Sequence, residues 1–287
     1  MTSFAEFRNL AITRLTDAGV ATPEVDADLL VGHVLDMSRG EVQAKAIAGA
    51  ELRPDQVDEL TGLLDRRVAR EPLQHITGRA YFRSLELAVG PGVFVPRPET
   101  EQVAQYAVDA LRAIPAEHPI AVDLGTGSGA IAFALATEVS NSLVYAVEVS
   151  PDAFRWTEIN RDLTRATNAA VVLGDLADAF TELDGTADVV VSNPPYIPTN
   201  AVPRDREVQL HDPPTALYGG ADGLDVVRQV SRTGLRLLHP GGTLVLEHGE
   251  LQGASIADLL RADGWTAVAT HRDLLGRDRA TTALKSP

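Results

Sequence analysis

Asn193, Pro194, Pro195 and Tyr196 stand directly behind the apolar run Ala187 to Val191, "ADVVV". The run reads as a buried β-strand. Proline has no N–H to give to a sheet ladder, so the strand ends at the pair. The four residues should form a stiff bend at a strand's carboxyl end, which is where open α/β sheets bind ligands. A turn that merely stops a strand would use the same residues. A second stretch, "AVDLGTGSGAIA" from Ala121 to Ala132, carries Asp123 and then Gly125, Gly127 and Gly129 at alternate positions, with Thr126 and Ser128 between them. Glycines there let the backbone turn sharply and come close to a ligand. The next strand, "LVYAVEV", ends near Glu148, about 20 residues on. A carboxylate in that register can accept hydrogen bonds from ribose hydroxyls, so a ribose-bearing cofactor is expected.

Alternating strands and helices must position these residues. From Pro119 onward "IAVDLG", "SLVYAVEV", "AAVVLGD", "ADVVVSN" and "GTLVLEHG" read as strands. "SGAIAFALATEV", "SPDAFRWTEINRDL", "GLDVVRQVSRTGLRLL" and "ASIADLLRADG" read as helices, and "WTAVATHRD" and "RATTALK" as closing strands. This order implies a mostly parallel sheet covered on both faces. Ahead of it, "PETEQVAQYAVDALRAI" is a helix with Glu99 and Glu101 near its start, where negative charge is favoured. Residues 76–97 alternate apolar and polar and turn at "GPG", the pattern of a linking hairpin. Residues 1–75 read as a helical bundle. Ser3 and Glu6 form a capping box, Gly19 stops the first helix, Thr22 caps the second ahead of Pro23, and Pro54 opens another. Phe4, Phe7, Leu10, Ile12 and Leu15 form the first helix's apolar stripe. The segment from Ile197 to Asp222 shows no regular element and reads as a lid.

Composition narrows the function. The 287 residues include no cysteine, which excludes disulfides, thiolate metal sites and cysteine nucleophiles. No apolar run approaches the roughly 18 residues of a membrane span. The first residues lack the charged start and apolar core of a signal peptide, so a cytoplasmic protein is expected. A net charge of −15 disfavours direct nucleic-acid binding; it serves first to keep the protein in solution and fits a cationic ligand or basic protein partner better than a polyanion. His75, His211 and His248 have no metal-ligand spacing, and no metal is expected.

"DLGTGSG" departs from the dinucleotide pattern G-x-G-x-x-G and resembles motif I of class I methyltransferases, which bind S-adenosyl-L-methionine and release S-adenosyl-L-homocysteine. The resemblance implies an α/β fold: a Rossmann-like, seven-stranded, mostly parallel sheet with one antiparallel strand near its end. Asp175, in "VLGDL", matches the position that often holds the adenine. Some relatives place an aromatic residue next to it, where this chain has Leu176, so aliphatic contact would replace stacking. "NPPY" resembles motif IV of methyltransferases acting on planar nitrogens. In such enzymes Asn193 Oδ1 and the Pro194 carbonyl would accept the two N–H hydrogens of the substrate, and Tyr196 would lay its ring against the amide or the sulfonium.

"REPLQHITGRAYF", "VFVPRPETE", "ALYGGADGLDVVR", "PGGTLVLEHGELQG" and "RDLLGRDR" together resemble the peptide-chain release-factor glutamine methyltransferases along nearly the whole chain. That resemblance implies methylation of the glutamine side-chain amide in the Gly-Gly-Gln motif of class I release factors. It divides the chain into an N-terminal substrate-recognition domain (1–75), a hairpin linker (76–97) and a catalytic domain (98–287), expected to act as a monomer. Asn193, Pro194, Pro195 and Tyr196 would hold the substrate. Asp123, the 125–129 turn, Glu148, Asp175, Leu176 and Asn193 would hold the cofactor. Phe94 and Arg97 would face its methionine end, unless Arg97 simply pairs with Glu99 or Glu101. An adenine-N6 methyltransferase of DNA or RNA is the alternative enzyme, and a non-catalytic scaffold the alternative class.

Overall fold

The computed structural model describes residues 2–287. They form two compact units, one of 2–78 with 203–211 and one of 79–202 with 212–287. The smaller unit is helical: α1 (Phe4–Asp17), α2 (Pro23–Leu35), α3 (Arg39–Ile47), α4 (Pro54–Val68), α5 (Leu73–Thr77) and, from the later segment, α9 (Arg206–His211). Ser3 and Glu6 make the expected capping box, and Gly19 takes φ 72° just past the end of α1. Phe7, Leu15, Leu30, Leu60 and Leu64 fill the core. Three expectations change. Leu10 is exposed, and Ala11 takes its place on the buried stripe. Thr22 stands at the N-cap of α2 ahead of Pro23, but its side chain makes no capping hydrogen bond; the hydroxyl donates to Asp26 Oδ1 at 3.0 Å. The short strands β1 (Thr2–Ser3) and β2 (Glu51–Leu52) pair antiparallel within what reads as an all-helical region.

Two buried ionic groups hold this unit together. Asp28 accepts from Arg8, Arg39 and Gln43. Arg67 donates to Asp26 at 2.7 Å and to Glu207 at 2.9 Å, and Arg70 donates to Glu207 at 2.5 Å. Residues 203–211 therefore belong with the helices by specific ion pairs. Helix α3 buries only Val42 and α9 spans six residues, so neither stands out from hydrophobic periodicity.

The larger unit opens with a hairpin, β3 (Arg79–Phe82) and β4 (Leu85–Ala88). It turns at Arg83 and Ser84, not at the "GPG", and Val93 to Val95 form no strand. Arg83 adopts φ 53° and is fixed there: its N–H donates to Glu101, and its guanidinium reaches Glu138 and Gln105. Helix α6 (Pro98–Arg112) follows. The sheet comprises β5 (Ile120–Leu124), β6 (Leu143–Glu148), β7 (Ala169–Leu173), β8 (Ala187–Ser192), β9 (Leu238–Glu247), β10 (Thr266–Arg272) and β11 (Asp278–Leu284). Its order is β10-β11-β9-β8-β5-β6-β7, and β11 alone runs antiparallel to its neighbours. The remaining helices are α7 (Ala130–Glu138), α8 (Pro151–Thr164), α10 (Pro214–Leu217), α11 (Asp225–Leu237) and α12 (Gly253–Ala262).

Alternation along the strands divides the core. Ala121, Val189, Val191 and Val245 pack with α6 and α7 on one face. Val122, Val190, Leu244 and Leu246 pack with α11 and α12 on the other. The chain order reverses between β5 and β8, which opens a crevice at their carboxyl ends. None of the described helices is long and apolar enough to cross a membrane.

Candidate active site

Strand β5 delivers Asp123 to the reversal point. Thr126 Oγ1 donates to Asp123 Oδ2 at 2.6 Å and the Ala132 N–H at 3.2 Å, while Oδ1 is buried with no partner. Burial pushes the Asp123 carboxyl up to about 7, against those two hydrogen bonds. Gly125 and Gly127 follow at φ 76° and 60°, and a side chain on either would meet no protein atom. The turn therefore leaves a bare backbone cradle facing open space. Gly129 differs: at φ 83° it begins α7, and a side chain there would collide with the Phe133 ring.

Glu148 fastens this turn. Its Oε2 accepts from the Gly127 N–H and its Oε1 from the Ser150 N–H, each at 2.8 Å. Ser150 caps α8, whose Thr157 and Asn160 donate to the carbonyls of Gly127 and Ser128. Thr126 and Ser128 are buried, and the Thr126 hydroxyl turns inward to Asp123. An S-adenosyl-L-methionine-type ligand fits what remains: an open glycine cradle, the unpartnered Asp123 oxygen, and free lone pairs on Glu148. Beyond β7, Asp175 is exposed, and its Oδ1 accepts from the Ala177 N–H and Gln229 Nε2. Leu176 packs against the α11 side of the core.

Strand β8 brings in the second group. Ser192 Oγ donates to the Leu124 carbonyl at 2.6 Å, tying the end of β8 to that of β5. Asn193 follows with Nδ2 donating to Thr100 Oγ1 at 3.4 Å. Pro194 is buried. The carbonyls of Pro195 and Tyr196 press so closely on Gly219 and Gly223 that a side chain at either glycine would collide with them. Gln252 Nε2 donates to the Tyr196 carbonyl at 2.9 Å. Burial, with Glu247 nearby, pushes the Tyr196 phenol up to about 12, so it stays neutral.

The segment from Ile197 to Asp222, expected to hold no regular element, contains α9 and α10. Ile197 donates to the Leu217 carbonyl and accepts from the Gly219 N–H, and the Thr199 N–H donates to Gly220. Its ends are thus laced together, and α10 lies between them. Proline-rich ends and short helices mask this order in the sequence.

Arg97 sits over the Phe94 ring at 4.8 Å and donates to Asp212 at 2.8 Å. It pairs with neither nearby glutamate: Glu99 holds Arg277 and Glu101 holds the Arg83 N–H. Val93 and Val95, flanking Phe94, pack with Ala153 of α8. His248 is buried; burial lowers its pKa, and its ring nitrogens meet the Gly249 carbonyl and the Thr281 hydroxyl. His75 and His211 lie in α5 and α9 of the smaller unit.

Sequence reasoning overlooked Thr100, Glu247 and Gln252. Thr100 and Glu247 are buried, and Glu247 ends β9 beside β8. All three lie inside segments that carry the family resemblance, yet none is part of a chemistry-bearing motif.

Comparison with known proteins agrees with this geometry. Residues 6–78 match the PrmC N-terminal domain and residues 85–210 the methyltransferase small domain. The chain is 49% identical to a release factor glutamine methyltransferase of Streptomyces coelicolor, covering 96% of each chain. It is 43% identical to another from Bifidobacterium longum, over 94% of this chain and 96% of that one. The chain belongs to the release factor glutamine methyltransferase family. It is also 39% identical to a 4-amino-L-phenylalanine/4-methylamino-L-phenylalanine methyltransferase of Streptomyces pristinaespiralis, over 99% of this chain and 96% of that one. Within the release factor glutamine methyltransferase fold seen here, the glycine turn and the Asn193 bend occupy adjacent strand ends, β5 and β8.

Proposed function

We propose that this enzyme transfers a methyl group from S-adenosyl-L-methionine to the side-chain amide nitrogen of the glutamine in the Gly-Gly-Gln motif of class I peptide-chain release factors. The observation that carries the proposal is the adjacency of a glycine cradle on β5 and a proline-stiffened Asn193 on β8, in a chain of this family. Asp123, Gly125, Gly127 and Glu148 would hold the cofactor, with Asp175 and Leu176 toward its adenine. Bound there, S-adenosyl-L-methionine supplies an electrophilic methyl group.

The protein's part is orientation. An amide nitrogen is a poor nucleophile because its lone pair is delocalised into the carbonyl. Asn193 Oδ1 and the Pro194 carbonyl each accept one substrate N–H, which raises electron density on nitrogen and aims it. The prolines and the packing on Gly219 and Gly223 fix these acceptors before substrate arrives. The Tyr196 ring shields the reacting nitrogen from water. One N–H proton leaves once the nitrogen is alkylated. The helical unit would contact the release factor beyond its Gly-Gly-Gln loop.

Purified release factor, enzyme and S-adenosyl-L-methionine, followed by peptide mass spectrometry, test this. One added methylene on the Gly-Gly-Gln glutamine is expected, and Asn193→Ala should abolish it while cofactor binding persists. A second reading, transfer to an aromatic amine, rests on the 39% identical relative. Methylation of 4-amino-L-phenylalanine with none on release factor would establish it instead. The net charge of −15 argues against nucleic acid as substrate.

A further inference from the structure

Three side chains from three distant parts of the chain meet behind the Asn193 bend. Asn193 Nδ2 donates to Thr100 Oγ1 at 3.4 Å, and the Thr100 side chain also lies close enough to the Glu247 carboxylate to favour its charged form. Thr100 lies in the first turn of α6, and Glu247 is the last residue of β9. Thr100 is 4% exposed and Glu247 2%, and Glu247 Oε2 has no hydrogen-bond partner. Burying a carboxylate is expensive, and Arg279 of the neighbouring β11 offsets only part of that cost, since the Glu247 pKa is still raised.

From this geometry we infer that Thr100 and Glu247 are positioning residues that lock the Asn193 amide with its Oδ1 toward the substrate nitrogen. The inference rests on Asn193 being the amide acceptor. A carboxamide is nearly symmetric in shape, so packing alone does not choose between its two flips. Flipped, Asn193 would point an NH2 at the substrate's NH2, donor against donor, and the nitrogen would lose its grip. A threonine hydroxyl has one hydrogen. An ionised carboxylate is acceptor-only and takes that hydrogen, so only lone pairs remain for Asn193. Nδ2 must then face Thr100, and Oδ1 the other way. A glutamine at 247 could give or take, and would leave the choice open.

Protonation of Glu247 should undo the lock. Burial pushes its carboxyl up to about 7, opposed by the Thr100 side chain and by Arg279 of β11, and reinforced by Glu99 of α6; Tyr196 also faces it. A protonated Glu247 can donate to Thr100, which frees the hydroxyl hydrogen for Asn193 Oδ1 and stabilises the wrong flip. Turnover should therefore rise with pH through about 7.

The test compares Thr100→Val, Thr100→Ser, Glu247→Gln and Asn193→Ala by steady-state kinetics on release factor, with cofactor affinity measured by calorimetry. Thr100→Val should lower kcat by about 10- to 100-fold, the scale of losing alignment at a reacting centre, with cofactor affinity unchanged. Thr100→Ser should restore most of it. Glu247→Gln should lower kcat and flatten its rise near pH 7. A Thr100→Val enzyme with parental kcat, or a Thr100→Ser enzyme as impaired as Thr100→Val, overturns the lock. If Thr100→Val fails to fold, the pH profile of Glu247→Gln decides, and a parental profile overturns the lock. Asn193→Ala with parental turnover would instead refute the acceptor assignment on which the lock rests.

Discussion

The Gly127 N–H donates to Glu148 Oε2 at 2.8 Å, so the acidic residue ending β6 holds the glycine turn that leaves β5. The other carboxylate oxygen holds the start of α8 through Ser150. One side chain thus sets the distance between the cradle and the next helix. The acidic residue expected to receive a ribose is at the same time the clasp of the turn beneath it.

Glu148→Ala should therefore damage cofactor binding twice over, by loosening the turn and by removing the proposed ribose acceptor. Hydrogen bonds to charged groups contribute about 1.5–3 kcal/mol each, so a loss of tenfold or more in affinity is expected. Glu148→Gln keeps an acceptor oxygen and should lose less. Calorimetric titration with S-adenosyl-L-homocysteine checks both, and equal affinity for Glu148→Ala and parent would contradict the role.

Two glycines of one motif should fail in different ways. Gly127→Ala places a methyl in open space at φ 60°, where the backbone strain is about 1 kcal/mol and the methyl occupies cofactor volume. Folding should survive and cofactor affinity fall. Gly129→Ala drives a methyl into Phe133, within the α6 side of the core, and should lower the melting temperature far more. Thermal melts with and without S-adenosyl-L-homocysteine separate the two. A cofactor-induced stabilisation of parental size in Gly127→Ala would rule out the cradle.

The sheet and its site-bearing ends were legible because periodicity and punctuation agreed there. "ADVVVSNPP" states a buried strand and its stop in nine letters, and β5 with its glycines does the same. The hairpin turn at Arg83 was not legible. Its left-handed residue is an arginine held by Glu101, Gln105 and Glu138, all distant in sequence. "GPG" is the stronger local turn signal, yet Gly90 lies against the Trp156 ring and Trp156 Nε1 donates to the Pro91 carbonyl. Thr100 and Glu247 were hidden for a similar reason: a threonine in a helix's first turn and a glutamate at a strand's end are ordinary until the fold brings them together.

Stability should fall with rising pH across the range where Asp123 and Glu247 ionise. Each folded-state pKa, about 7, lies above its value of 3.8 or 4.5 in the unfolded chain. The folded form thus binds these protons more tightly. Their contribution is complete below about pH 4 and is lost as pH rises toward 7, with a slope of at most about 1.4 kcal/mol per pH unit per group. Asp123→Asn and Glu247→Gln remove one titration each. Melting temperatures from pH 4 to 8 should decline less steeply in each variant than in the parent. Parallel curves would show that neither carboxyl titrates in this range.

The smaller unit depends on a buried cation. Arg67 is 6% exposed and donates to Asp26, Glu207 and the Glu71 carbonyl. Arg67→Met keeps the volume of the stem and removes the charge. Glu207 retains Arg70, whereas Asp26 keeps only the neutral Thr22 hydroxyl. Breaking a buried pair by removing one partner costs about 3–5 kcal/mol, because the surviving charge stays buried without compensation. For a unit of this size that corresponds to roughly 10 °C or more in melting temperature. Adding Asp26→Asn removes the stranded charge, so the double variant should recover part of the loss. Differential scanning calorimetry of the parent, the single and the double variant measures this. A double variant less stable than Arg67→Met would mean that Asp26 supports the unit by some route other than its pairing with Arg67.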